Sequence, residues 1–263
     1  MTYKYNPKLK DSGIISCIPQ SEPCPLKCED CFFLGGRSYL EPLSENLPNM
    51  PTLEQVGHRV VRVNDGGDSS LGGEVRYDTG KYPLRFYNTS LDSFPMESFV
   101  EPVVLTINPG QMTDLGFYKL DPIPPNLMFV RFRANIWNLN LATRAVSYYS
   151  MREVPIVMTF MAYFHTSISP IHKHFYEWRK RTTNPYWAIT REGWAKIMYR
   201  FISHPLYNKW VYSCGTEGKD GTSLCRFCGN CLREFYATKE RMAKCDNESA
   251  EKTADQEINV LLR

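Results

Sequence analysis

Short apolar, β-branched runs recur along the chain with turn residues between them, at Gly13–Ile18, Arg59–Asn64, Leu84–Tyr87, Val103–Asn108, Leu127–Phe132 and Pro155–Tyr163. Runs this short and this uniformly apolar read as strands covered on both faces, the pattern of a parallel sheet. The clearest helix between them is Leu139–Arg152, ahead of the sixth run. Stretches rich in Pro and Gly around Glu41–Pro51 and Ser69–Tyr82 read as loops or short irregular helices. Strands separated by helices or long crossovers predict a right-handed βαβ layout, an open sheet or a partial barrel.

After Phe164 the pattern changes. Aromatic, basic segments at Ile171–Arg181 and Thr190–His204 read as helices, and a cysteine cluster follows them. From Asp246 onward the chain is polar and acidic, a tail that reads as disordered, with a turn or two of amphipathic helix at Asp255–Leu262 as the alternative. The expected division is residues 1–165 as the core domain, 166–245 as a basic aromatic helical extension with cysteines, and 246–263 as the polar tail.

With 263 residues, one large α/β domain plus an appendage can bury an ample core. The polar start Met1–Lys10 has no apolar stretch behind it, and the longest apolar run, Val154–Phe164, is too short to span a bilayer, so no secretory signal or membrane anchor is expected. The chain has nine cysteines, and the two tight clusters that hold seven of them argue for metal or redox sites in a reducing compartment, hence a cytoplasmic protein, and against a disulfide framework. Net charge is only +3, but His172–Trp210 carries eight Lys or Arg against two Glu, a local excess of six. These cations, Lys173, Arg179, Lys180, Arg181, Arg191, Lys196, Arg200 and Lys209, are interleaved with Tyr176, Trp178, Trp187, Trp194 and Trp210. Such a mixture suits phosphates and bases, so nucleic acid is a candidate partner of residues 172–210; the alternative is aromatics packed on the core with cations in solvent.

Chemistry concentrates first at Cys24, Cys28 and Cys31, spaced C-x3-C-x2-C directly after the first strand. Three thiolates from one loop can hold an iron–sulfur cluster and leave one iron open to an exogenous ligand. Cys17, at the end of the strand itself, reads as a small buried residue. The second set, Cys214, Cys225, Cys228 and Cys231, is spaced C-x10-C-x2-C-x2-C, and four thiolates there can close either a second [4Fe–4S] cluster or a zinc site. Cys245 stands alone. In a parallel barrel the ligand site lies at the carboxyl ends of the strands, which makes Asn88, Thr89, Ser90, Asn108, Arg133, Asn135 and His165 candidates by position.

The segment Cys24-Pro25-Leu26-Lys27-Cys28-Glu29-Asp30-Cys31 resembles the signature loop of radical S-adenosylmethionine (radical SAM) enzymes. Asp30 stands where that family carries an aromatic residue, and Phe32 and Phe33 follow. Gly66-Gly67-Asp68, after the second strand, looks like a shortened form of the family's Gly-Gly-Glu motif, and Gly72-Gly73-Glu74 is a literal copy farther from the strand. More loosely, Arg62-Val63-Asn64-Asp65-Gly66-Gly67-Asp68, Arg85-Phe86-Tyr87 and the closing cysteines look like small phage- and plasmid-associated radical-SAM-like proteins.

The resemblance implies a partial (β/α)6 TIM-like barrel with a C-terminal helical, cysteine-cluster extension. It implies a [4Fe–4S] cluster on Cys24, Cys28 and Cys31, SAM contacts at Gly66, Gly67, Asp68, Asn88, Ser90 and Asn108, an external electron donor, and cleavage of SAM to a 5′-deoxyadenosyl radical. It names no substrate. Taken without the resemblance, the same residues also fit a zinc-stabilised nucleic-acid-binding protein or a non-enzymatic iron–sulfur electron carrier.

Overall fold

All six apolar runs form strands: β1 (Ile14–Cys17), β2 (Val60–Val63), β3 (Arg85–Thr89), β4 (Val103–Ile107), β5 (Leu127–Ala134) and β6 (Ile156–Phe160). The computed structural model describes residues 2–26, 28, 38–70, 74–91, 100–108, 119–160, 168–180, 185–217 and 223–261. Beyond β6 comes an antiparallel hairpin of β7 (Tyr176–Arg179) and β8 (Tyr186–Ile189), and then β9 (Val211–Ser213), which joins the main sheet beside β6. The sheet order is β1-β2-β3-β4-β5-β6-β9, every neighbouring pair parallel. Right-handed crossovers between strands in sequential order all fall on one face. The sheet curls into a half-barrel with its crossover helices outside.

Period-two alternation sorts the side chains between the two faces. Outward, Val61, Val63, Leu105, Val130, Phe132 and Met158 share one core with the crossover helices. Among these, α1 (Leu53–Val56), α2 (Glu74–Thr79) and α3 (Leu139–Ser150) lie between strands of the sheet, and α4 (Arg191–Ile202) precedes β9. Helix α3 buries Ala142, Ala145, Val146 and Tyr149, the i, i+3, i+4, i+7 stripe legible in the sequence. Helix α4 starts where Thr190 accepts a hydrogen bond from the Gly193 N–H, and it buries Ile197, Met198 and Phe201.

The inward face is built differently from one end to the other. Val60, Phe86, Val104, Met128, Phe129 and Val157 form a second apolar core toward the amino ends of the strands. Register slips between Val103 and Val104, which lets the neighbours Met128 and Phe129 both join it. This core is closed by the C-terminal helix α6 (Asn230–Leu261), which follows the short α5 (Cys225–Cys228). Phe235 of α6 lies 6.3 Å from Phe86, and Arg241 donates to the backbone carbonyls of Pro125 (3.0 Å) and Leu127 (2.5 Å). A Cβ on Gly13 would come 3.1 Å from Leu232 Cδ2. Thus α6 crosses the amino end of the concave face from β1 to β5.

Three expectations are corrected. The sheet has a seventh strand, β9, whose three residues are too few to register as a run. Residues 171–181 do not form a helix: a 3-10 turn at Lys173–Phe175 leads into β7, where cross-strand aromatics such as Trp178 and Trp187, 5.3 Å apart, favour a ribbon. The tail from Asp246 is not without structure, because α6 continues through it to Leu261 on a run of good helix formers such as Ala250, Glu251, Lys252 and Ala254. No helix among the described residues is long and apolar enough to cross a membrane.

Candidate metal and cofactor site at the carboxyl ends of the strands

On the concave face, polarity rises along the strands. Above the apolar core stand Arg62 and Arg131, and above those, at the carboxyl ends, stand Asn64, Asn88, Asn108, Arg133 and Asn135. All but Arg131 are buried. Arg62 forms an ion pair with Asp65 at 2.5 Å, and Asp65 also accepts from Asn6 Nδ2 at 2.6 Å. Burial opposes the Arg62 charge, but Asp65, with Cys225 and Cys231 behind it, more than offsets this and holds the guanidinium above its ordinary range.

The loop after β2 is laced to the end of β3. Asp68, 3 % exposed, accepts at Oδ1 from the Ser70 N–H (3.0 Å), the Ser70 hydroxyl (2.5 Å) and the Thr89 hydroxyl (2.8 Å). Its Oδ2 accepts from the Ser90 N–H (2.6 Å) and hydroxyl (2.8 Å). The Ser69 N–H donates to the Asn88 carbonyl, and the Asn88 N–H to Ser69 Oγ. Asp68 and Ser90, both singled out from the sequence as ligand contacts, thus turn their polar atoms toward each other. Their arrangement sets the shape of the loop that carries Gly66 and Gly67.

Other polar atoms at this end are unspent. Asn64 Oδ1 and Nδ2, Asn88 Oδ1 and Gln20 Oε1 are buried with no hydrogen-bond partner among the described residues. A buried unsatisfied polar group costs about 1–3 kcal/mol, so the cluster is a candidate place for a polar ligand. Asn88 keeps its amide oriented by donating Nδ2 to the Val63 carbonyl at 2.7 Å. Asn108 accepts from Arg133 Nη1 at 3.3 Å. Asn64 was not among the sequence candidates, since it reads as the last residue of a strand. The signal was its place before Asp65-Gly66-Gly67: it adopts φ 56°, a conformation Asn tolerates better than most residues.

The first cysteine loop opens onto the same place. Cys24 lines a small cleft with Gly66, Gly67 and Asp68, floored by Ile18 and Gln20. Cys24 and Cys28 are half-buried, whereas Cys31, like Asp30, Gly72, Gly73, His165 and Arg181, lies outside the described residues. Cys17 points the other way, fully buried in the helix-facing core, and burial pushes its thiol up to about 12 despite a hydrogen bond with Tyr82. It is a core residue, as its position at the end of β1 suggested.

The second cysteine set lies on the concave face. Cys214 follows β9, a hairpin of β10 (Thr216–Glu217) and β11 (Ser223–Leu224) turns the chain back, Cys225 and Cys228 bound α5, and Cys231 sits in the first turn of α6. Cys214 and Cys231 pack against the apolar core there. Asn230 Nδ2 donates to the Ser213 carbonyl at 2.8 Å, fixing the start of α6 beside the end of β9. Burial and then the neighbours Cys225 and Cys231 push the Cys214 thiol up to about 12. Burial likewise raises Cys231, against the pull of Arg62 and Arg131. The four thiols are therefore in one another's electrostatic range with two guanidinium groups beside them.

Among the described residues, which leave out Cys31, no three Cys, His, Asp or Glu side chains stand in metal-holding geometry. The donor chemistry fits the groups expected from the sequence: clustered thiols select zinc or iron–sulfur clusters, and the orphaned amides suit a polar ligand in the mouth. No protein-family model matches this chain, and no curated protein or solved structure matches it.

Proposed function

We propose that the chain is a radical SAM enzyme on a partial TIM-like barrel, with Cys24, Cys28 and Cys31 holding a [4Fe–4S] cluster and SAM bound across the mouth. One observation carries the reading: Cys24 and the Gly66-Gly67-Asp68 turn share a cleft at the carboxyl end of a curled parallel sheet, beside buried amide atoms of Asn64, Asn88 and Gln20 that have no partner among the described residues. The bound cluster and SAM supply reductive cleavage of the sulfonium to a 5′-deoxyadenosyl radical, with an external donor providing the electron.

The chain's own residues supply position and shielding. Gly66 and Gly67 let backbone approach the ligand closely, and Asp68 holds them there through Ser70, Thr89 and Ser90. Asn64, Asn88 and Gln20 offer the polar atoms that meet the ligand's amino, carboxylate or ribose groups. Helix α6 seals the opposite end of the concave face against water. Cys214, Cys225, Cys228 and Cys231 hold a second metal centre, an auxiliary [4Fe–4S] cluster or zinc, with Arg62 and Arg131 as counter-charges to its thiolates. The clustered thiols support a reducing compartment, the cytoplasm, as the protein's location.

Anaerobic reconstitution tests this. The loaded protein is expected to contain iron and sulfide, to show a charge-transfer absorbance and, with SAM and reductant, to release 5′-deoxyadenosine. Cys28→Ala is expected to lose the N-terminal cluster's iron and the release together. Release by both proteins, or by neither when the wild type is cluster-loaded, overturns the assignment. The iron-to-zinc ratio of Cys28→Ala then identifies the metal of the second set.

A further inference from the structure

The geometry points to a binding platform for single-stranded nucleic acid on the rim of the mouth, formed by the β7–β8 hairpin and the loop after β5. The inference stands on this surface and not on the cluster reading. Its first element is placement. Asn135, at the carboxyl end of β5, is followed by Ile136, whose N–H donates to Tyr176 Oη at 3.3 Å, and by Trp137. The hairpin is thereby anchored beside the residues that ring the mouth.

Its second element is aromatic surface. The Trp137 ring lies 5.2 Å from Tyr176 and 5.5 Å from His172, tilted by 41° and 32°. Trp178 packs against Trp187 across the hairpin. Yet Trp137 remains 43 % and Trp178 38 % exposed, although Trp is highly buried on average. Indoles held by their neighbours while still reaching solvent are ready-made stacking partners.

Its third element is charge. Lys173, Lys180 and Lys196 are exposed and form no ion pair among the described residues. Lys173 Nζ lies 6.0 Å from the Trp187 ring, and Lys196 Nζ lies 4.6 Å from the ring of the buried Phe175 beneath the hairpin, so cations border the indole pair. The segment 172–210 holds an excess of six positive charges on a chain whose total is +3, leaving the remainder acidic. Stacking faces beside cations complement unpaired bases beside phosphates, and every base offers a π-face, so the platform is tolerant of sequence. An acidic protein would use the cations but leave the half-exposed indoles without a matching planar partner.

The test is fluorescence anisotropy on the full-length protein with labelled oligo-U RNA, oligo-dT DNA and a mixed-sequence duplex, each about 15 nucleotides long. Single strands are expected to bind, more tightly than duplex, with affinity falling from about 50 to about 200 mM salt. Trp137→Ala is expected to weaken single-strand binding about 10-fold, with Trp137→Phe restoring most of it. Lys173→Gln with Lys180→Gln, on the surface, is expected to reduce the salt slope by about 1.4, two phosphate contacts at about 0.7 each. Tighter binding of RNA or of DNA supports the platform either way and assigns the sugar. No binding at low salt, equal binding of duplex, or indifference to both sets of substitutions overturns it. The assay needs neither cluster nor SAM, so its failure and failure of the SAM-cleavage reading are separate results.

Discussion

Asp68→Asn separates two roles for this carboxylate. As a direct SAM contact, Asp68 would matter to ligand affinity and little to folding. The structure shows it accepting five hydrogen bonds from the protein while 3 % exposed, two of them from the backbone N–H groups of Ser70 and Ser90. An isosteric amide keeps one acceptor oxygen and sets an NH2 against the donors on the other side. The Ser70, Thr89 and Ser90 hydroxyls can rotate, but one backbone N–H is left facing a donor, at about 1–3 kcal/mol. Loss of charge assistance on the surviving bonds adds to this, so the expected destabilisation is about 3 kcal/mol. In urea, with an m-value of about 3 kcal/mol/M, the midpoint drops by about 1 M. Circular dichroism on the protein without SAM reads it directly. A midpoint within about 0.2 M of wild type refutes the view that Asp68 is a structural tie.

Two further outcomes follow from the packing. Phe235→Ala removes the buried aromatic through which α6 closes the concave core, and is expected to cost about 3–5 kcal/mol with faster hydrogen exchange in α6; an unchanged urea midpoint contradicts the packing. Cys17 is pushed up from 9.0 to about 12 by burial, so its contribution is complete below pH 9 and is lost as pH rises toward 12, because the unfolded chain gives up the proton first. At about 1.4 kcal/mol per pH unit, Cys17→Ala is expected to flatten the alkaline fall in stability across that window, measured by urea midpoints at stepped pH. Tyr3 and Tyr176, also raised by burial, act in the same direction and keep part of the slope.

The strands were legible in the chain because their signals are local. A strand covered on both faces must be apolar throughout, and this is why the six runs from Gly13 to Tyr163 appear as β1 to β6. The helices read at Leu139–Arg152 and Thr190–His204 are equally local, set by apolar spacing. Where the signal was short or ambiguous, the sequence misled. Val211–Ser213 becomes a strand because β6 offers it an edge, and Tyr176–Arg179 becomes a ribbon because Tyr186–Ile189 pairs with it.

The site divides in the same way. Residue types and spacings determined where the thiols cluster along the chain, that glycines follow β2 and that amides end the strands. Only the folded chain decided which of these polar groups are spent on the protein, as at Asp68 and Ser90, and which are left over, as at Asn64 and Asn88. Only the fold carries Cys231 to Arg62, residues far apart in the chain, on the inside of the half-barrel. Hydrogen-bond saturation and burial belong to the neighbours a residue acquires in three dimensions, and sequence spacing does not encode them.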